Sequence, residues 1–269
     1  MDLRPKFKEE HVQAIESFLS HHLEQSGRTG VVLGMSGGLD SSIVARLCAD
    51  ALGPSKVLGL MMFDELTDRR DVRDARSQAK NLGITLREID IVPMSESFRR
   101  ALKIRPSQRT ALGNVKARCR MIVLYDVAAL ENRLVIGTGN KSELLTGYFT
   151  KFGDGGADFM PLGDLYKAQV REMARHLGIP RRILTKVPTA GLWKGQTDED
   201  ELGLPYSDLD RILLGLELQL DEEDIARKTG LGLNRVRKVE RLVASSVHKR
   251  KMPLIPKVGI RTLGLDWRE

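Results

Sequence analysis

The nine residues Gly34-Met35-Ser36-Gly37-Gly38-Leu39-Asp40-Ser41-Ser42 constrain this chain more than any other stretch. They follow Val31-Val32-Leu33, an apolar run that reads as a buried parallel strand, and precede Ile43-Val44-Ala45-Arg46-Leu47-Cys48-Ala49, which reads as a helix. A glycine pair between strand and helix lets the backbone approach an anion closely. The first turn of the helix adds unpaired N–H groups and a positive dipole end. Three serines supply hydroxyl donors, and Asp40 can hold a cation beside phosphates. A Walker-type loop carries Lys and then Ser or Thr after its last glycine. That pair is missing here, so this is an anion loop of another kind.

The loop sits inside a longer alternation. Strand candidates recur at Gly30–Met35, Lys56–Met62, Thr85–Ile91 and Arg133–Gly137, with helical patterns near Ser41–Leu52, Asp71–Leu82, Pro93–Leu102 and Ala111–Leu130. An amphipathic helix at Glu9–Leu23 precedes them. Such alternation predicts an α/β fold, a doubly wound open parallel sheet with helices on both faces. Beyond Gly137 come a glycine-rich segment, a helix near Asp164–Leu177, a loop through Pro180 and Pro188, and a polar stretch, Lys194–Glu201, expected to be mobile. Helices near Ser207–Leu218, Glu222–Lys228 and Leu233–Val247 form a helical C-terminal extension.

Open parallel sheets bind ligands beyond the carboxyl ends of their strands. Asp40 lies beyond the first strand and Thr138–Glu143 beyond the strand Leu134-Val135-Ile136, so the two carboxylates Asp40 and Glu143 can share one crevice. Mg²⁺ takes one or two carboxylates and completes its shell with phosphate oxygens and water. Glu143 suits a helix start equally well, and spacing leaves both roles open.

Composition sets the outer limits. With 269 residues, 41% hydrophobic and 29% charged, residues 1–269 read as a single domain carrying the helical segment about 207–248. No apolar run approaches the ~20 residues that span a bilayer, and Met-Asp-Leu-Arg-Pro-Lys lacks a signal-peptide core. Cys48 and Cys119 lie in apolar helical patterns without metal-type spacing, as buried free thiols of a reducing compartment would. The expected location is the cytoplasm, with no membrane partner. A formal charge of +7 permits nucleic-acid binding without requiring it.

Ser-Gly-Gly-x-Asp-Ser in this setting resembles the pyrophosphate loop (PP-loop) of ATP pyrophosphatases. That class has an adenine nucleotide α-hydrolase-like, Rossmann-like fold and includes NAD synthetases, GMP synthetases, asparagine synthetases and tRNA-thiolating enzymes. The block from Gly137 to Lys167, with Gly137-Thr138-Gly139-Asn140-Lys141-Ser142-Glu143 at its start, is similar to the signature of NAD synthetases in particular. Gly113–Met121, Val187–Trp193, Gln196–Tyr206 and His248-Lys249-Arg250-Lys251-Met252-Pro253 match as well, so the likeness covers nearly the whole chain. The length of Ser207–Ser246 is closer to archaeal-type members than to the short bacterial ones.

The resemblance implies an ammonia-dependent ligase of NAD biosynthesis that amidates deamido-NAD (nicotinic acid adenine dinucleotide), yielding NAD, AMP and pyrophosphate through an adenylated carboxylate. Gly34, Met35, Ser36, Gly37, Gly38, Leu39, Asp40 and Ser41 would cradle ATP phosphates, with Thr138, Lys167 and Thr189 also contacting ATP. Asp40 and Glu143 would hold Mg²⁺, and Asp40, Glu143 and Lys167 would form the catalytic set. Arg118, Lys151, Asp158, His248 and Lys249 would bind deamido-NAD. A homodimer is implied in the same way. The residue types suit such chemistry, since a carboxylate attacking the α-phosphorus brings two anions together and a cation and Lys167 offset the repulsion. The loop Gly153-Asp154-Gly155-Gly156 falls between the two sets and suits closure over substrate. Phe63–Arg70 is more charged than the surroundings of an adenine ring would be, which leaves the adenine contacts unassigned.

An ammonia-generating glutaminase needs a reactive cysteine, and neither thiol has the cationic, partly exposed setting that activates one. No glutaminase domain is expected, and ammonia is taken up free unless a separate subunit supplies it. Two other readings are weaker. Another PP-loop enzyme, GMP-synthetase-like or tRNA-modifying, would lack the Gly137–Lys167 block or bring extra cysteines. Asp221–Val239 imitates a helix-turn-helix nucleic-acid binder around Gly230, yet a two-helix packing unit with a glycine turn has the same pattern, and no nucleic-acid partner is expected.

Overall fold

A computed structural model describes residues 2–263. Its first part is α1 (Glu10–Ser26), β1 (Gly30–Gly34), α2 (Leu39–Leu52), β2 (Val57–Phe63), α3 (Arg69–Leu82), β3 (Thr85–Asp90), α4 (Val92–Ala101), α5 (Arg109–Leu130) and β4 (Arg133–Ile136). The four strands form one parallel sheet in the order β3-β2-β1-β4. A central parallel strand is covered on both faces, so β1 and β2 are apolar throughout rather than alternating. Side chains still divide by the pleat. Val31, Leu33, Val57 and Met61 pack against α1, α2, α3 and the later helix α7 (Lys167–His176), while Val32, Leu58, Leu60 and Met62 meet α4 and α5. Edge strand β3 presents charge to solvent, and Glu88 there accepts from Arg76 Nε at 2.6 Å.

β2 and β3 lie to one side of β1 and β4 to the other, so the winding reverses between β1 and β4. Splayed connections at such a point open a crevice at the strand ends. The chain beyond β4 forms α6 (Lys141–Thr146), loops out, and returns to the sheet. Gly137 N–H donates to the Phe159 carbonyl at 2.8 Å and Asp158 N–H to the Val135 carbonyl at 2.9 Å. The glycine-rich segment is thereby held above the crevice.

The remaining helices are α8 (Arg181–Leu184), α9 (Asp198–Leu202), α10 (Tyr206–Glu217), α11 (Glu222–Thr229) and α12 (Leu233–Ser245). The last three share a second core of Tyr206, Leu209, Ile212, Ile225, Val236 and Val239. A Cβ on Gly215 would come within 2.7 Å of Ile225 Cγ1, so the close approach of α10 and α11 needs glycine there. The stretch with a helix-turn-helix look is thus a packing unit, with Val236 and Val239 of α12 turned inward. Among the described residues, no helix is long and apolar enough to cross a membrane. Cys48 and Cys119 are both buried and free.

Candidate active site at the sheet switch point

The crevice is a cleft of about 530 Å³, a size suited to a small-molecule ligand. The glycine–serine loop forms one wall, with every residue from Gly34 to Ser41 lining it except Gly37. Helix α2 starts at Leu39 without a side-chain cap, leaving its first-turn N–H groups free to meet an anion. The loop holds itself in shape. Gly38 N–H donates to Ser36 Oγ at 3.2 Å, Ser36 Oγ and Ser41 Oγ lie 3.0 Å apart, and Ser42 Oγ donates to the Gly38 carbonyl at 2.7 Å. Gly37 has φ +73°, and a Cβ there would lie 2.2 Å from the Asp71 carbonyl oxygen. Only glycine meets both conditions.

Opposite the loop stands Lys167, the first residue of α7, with a side chain 4% exposed. Two neighbours fix its backbone. Its own N–H donates to Ser142 Oγ at 2.9 Å, and Ala168 N–H donates to Asp210 Oδ2 at 2.8 Å. Ser142 Oγ in turn donates to Asp210 Oδ1 at 2.5 Å. With the helix start anchored in this way, Lys167 Nζ reaches Asp40 Oδ2 at 2.6 Å and Glu143 Oε1 at 3.2 Å. Burial works against the charge on Lys167, and the two carboxylates more than reverse that, raising its pKa.

Glu143 both caps α6 and faces the cleft. Its Oε2 accepts from Asn140 N–H at 3.2 Å while its own N–H donates to Asn140 Oδ1 at 3.1 Å, a capping box at the start of α6. Its other oxygen faces Lys167. Burial pushes its pKa up to about 7, with Lys167 pulling the other way. Asp198, only 4% exposed, joins the same acidic wall. Tyr206 Oη donates to Asp198 Oδ2 at 3.1 Å and lies 3.5 Å from Glu143 Oε1. Asp40 Oδ1 and Asp198 Oδ1 are buried with no hydrogen-bond partner. Among the described residues no group of three or more His, Cys, Asp or Glu side chains could by itself hold a metal. A paired-carboxylate site with an unsatisfied oxygen therefore suits a hard cation only if ligand oxygens and water finish its shell.

Thr138, Thr189, Asp154 and Lys249 also line the cleft. Lys249 Nζ donates to the Gly147 and Phe149 carbonyls at 2.6 and 2.9 Å. Arg118, Lys151 and His248 do not line it and form a separate chain of contacts. Lys151 Nζ donates to the His248 carbonyl at 2.7 Å, and Arg118 Nη2 to the Lys151 carbonyl at 3.3 Å. Asp158 sits apart at the sheet edge, where Oδ2 accepts from Val135 N–H at 2.7 Å and Oδ1 from Tyr125 Oη at 3.4 Å. The charges of Phe63–Arg70 turn away from the cleft. Asp64 is buried, and although burial raises its pKa, Arg120 and Lys116 bring it below the usual carboxylate range. Met62 and Leu66 are left to face the cavity.

A family model described as NAD synthase matches residues 11–253. The chain belongs to the NAD synthase family. It is 50% identical over 246 residues to the NH(3)-dependent NAD(+) synthetase of Thermococcus kodakarensis, covering 91% of this chain and 96% of that one. Among solved structures it is similar to the NMN synthetase of Francisella tularensis, with TM-score 0.82, 36% identity, and coverage of 94% of this chain and 100% of the other. It is also similar to the NH3-dependent NAD synthetase of Campylobacter jejuni, determined with nitrate, at TM-score 0.78, 31% identity, and coverage of 96% and 100%.

Several residues that shape this NAD synthase family site are not evident from sequence spacing. Asp198 lies in the polar stretch Lys194–Glu201, whose second half opens α9, with Thr197 Oγ1 accepting from Asp200 N–H at 3.2 Å. The Thr-x-x-Asp spacing was its one local signal. The helix expected from Asp164 starts at Lys167, where Gln169 Oε1 accepts from Tyr166 N–H at 2.9 Å and Ser142 and Asp210, from elsewhere in the chain, take the next two N–H groups. Tyr206 and Asp210, both on α10, carry no local signal at all.

Proposed function

We propose that this chain joins ammonia to the nicotinate carboxyl of deamido-NAD at the expense of ATP. The substrate carboxylate attacks the α-phosphorus of ATP, a P–O bond breaks, and pyrophosphate leaves. Ammonia then adds to the acyl adenylate, the C–O bond to AMP breaks, and one proton is released. The observation that carries this reading is the meeting of Lys167 and Glu143 with Asp40 of the uncapped glycine–serine loop in one cleft. Half-identity with the Thermococcus kodakarensis synthetase along nearly its full length supports the substrate assignment.

No side-chain nucleophile is required, so positioning and charge carry the reaction. The loop and the α2 terminus would receive the phosphates, and Thr138 and Thr189 would complete the ATP site. Lys167 would move its positive charge toward the departing pyrophosphate. Asp40 and Glu143 would hold Mg²⁺, which when bound offsets the phosphate charge. Lys249 and Asp154 would face the dinucleotide, and Arg118, Lys151, His248 and Asp158, which lie outside the cleft lining, would contact it beyond the cleft. Ammonia would be used directly, since burial pushes the Cys48 thiol up to about 12 and raises Cys119 too. The protein would work as a homodimer in the cytoplasm.

Similarity to an NMN synthetase favours one alternative, amidation of the mononucleotide to give NMN. A single assay separates the two. Protein supplied with ATP, Mg²⁺, ammonium and either acid substrate should give NAD, AMP and pyrophosphate in equal amounts from the dinucleotide, faster than NMN from the mononucleotide. Formation of ADP refutes the proposed chemistry, and preference for the mononucleotide refutes the proposed substrate.

A further inference from the structure

Gly37 is the one loop residue that does not itself line the cleft, although Lys186 and Asp71, which pack against it, do. Its carbonyl accepts from Lys186 Nζ at 2.7 Å. The same nitrogen donates to Asp71 Oδ1 at 2.7 Å and lies 2.6 Å from Asp74 Oδ2. An ammonium has three donors, so all three N–H bonds of Lys186 are committed. Asp74 is held from a second side by Arg182 Nε at 2.6 Å, and Arg182 Nη2 also reaches Ser77 Oγ at 3.1 Å. Residues in and just after α8 thus grip α3 and the phosphate loop together.

We propose that Lys186 is a positioning residue that sets the phosphate loop in its anion-binding shape. The peptide unit is planar and trans, so its carbonyl and N–H point in opposite directions. Fixing the Gly37 carbonyl against α3 therefore fixes the Gly38 N–H toward Ser36 and the inside of the loop. Gly37 approaches the Asp71 carbonyl too closely for any side chain, so the loop and α3 move as one body while Lys186 bridges them. Lys186 also opens the segment Val187–Trp193, which forms another part of the cleft wall. The base of that wall and the phosphate loop share one nitrogen. The inference rests on the reading of this loop as the phosphate binder.

Inorganic pyrophosphate and AMP, titrated calorimetrically into the full chain in the presence of Mg²⁺, test it directly. Loss of a charge-assisted contact that shapes the loop should weaken pyrophosphate binding in Lys186→Met by about 10- to 100-fold and leave AMP within about twofold. Asp74→Asn, which keeps two of the three contacts, should fall between the variant and the parent. Lys186→Arg should not restore pyrophosphate affinity, because a planar guanidinium cannot occupy the three-way contact of a compact ammonium. Steady-state kinetics should show a raised KM for ATP with the KM for ammonium unchanged. Full affinity in Lys186→Met, or full rescue by arginine, overturns the positioning role alone. If the parent protein does not bind pyrophosphate, the phosphate-loop reading fails and the inference goes with it.

Discussion

Replacing Lys167 by methionine tests the charge arrangement at the centre of the site. Methionine keeps most of the volume of the side chain and removes its charge. Lys167 is 4% exposed, and its two acids are 18% and 16% exposed, so little water is at hand to screen them. Removing one partner of a buried ion pair typically costs about 3–5 kcal/mol, because the other charge is left uncompensated. At about 2–4 °C per kcal/mol for a chain of this size, the metal-free melting temperature should fall by about 10 °C. The deficit also depends on pH. Burial already raises Glu143 from 4.5 to about 7 in the folded protein, and losing Lys167 raises it further. An acid with a raised folded-state pKa binds more protons folded than unfolded, so stability falls as pH rises from the unfolded value through the folded one. At pH 5.5 parent and variant both hold Glu143 protonated at the same cost, about 1.4 kcal/mol relative to an unfolded value of 4.5, whereas at pH 8 the parent pKa of about 7 costs about 3.4 kcal/mol and the higher pKa of the variant costs more. The melting deficit should therefore be large at pH 8 and shrink to a few degrees at pH 5.5. Thermal unfolding of parent and variant at both pH values, with chelator and then with Mg²⁺, reads all of this. A variant melting within about 2 °C of the parent at pH 8 without metal would show that Lys167 does not neutralise these acids.

Asp40→Asn should lower kcat by about 10²–10³, the usual loss when one charge-stabilising group is removed. The fold should stay intact because Glu143 still pairs with the buried Lys167 ammonium; near-normal turnover would remove Asp40 from the cation site. Asp210→Ala deprives Ser142 and Ala168 N–H of their partner and should cost about 1–3 kcal/mol. Because the start of α7 loosens with it, kcat should fall as well, and unchanged kcat in the destabilised protein would refute the anchoring of Lys167. Iodoacetamide should modify neither cysteine in the folded enzyme and leave ammonium-dependent turnover intact, since both thiols are buried with raised pKa values. Rapid labelling by mass spectrometry would contradict that.

The strands were legible because a centrally buried parallel strand must be apolar along its length, as Val31-Val32-Leu33 and Val57–Met62 are. The loop was legible because glycines flanked by serines, set between strand and helix, combine close backbone approach with hydroxyl donors at a positive dipole end. Asp40 and Glu143 could be assigned to one crevice from the carboxyl ends of their strands, and Lys167 bridges them there. The short helix α9 was not legible because five residues make too few turns to show periodicity. Asp198 is held by Tyr206, whose contact is tertiary. Lys186 was passed over for a similar reason, since nothing adjacent in the chain distinguishes a lysine with three acceptors from one in solvent.

Sequence by itself determined the strand–loop–helix unit, the order of elements and the strand ends from which acids emerge. These depend on the periodicity and conformational range of residues close together in the chain. Tertiary structure decided which charges meet. Lys167 lies 127 residues from Asp40 and 24 from Glu143, yet one ammonium serves both carboxylates. Coulomb energy follows separation through space and the exclusion of water, and neither is encoded in the spacing of residues along the chain.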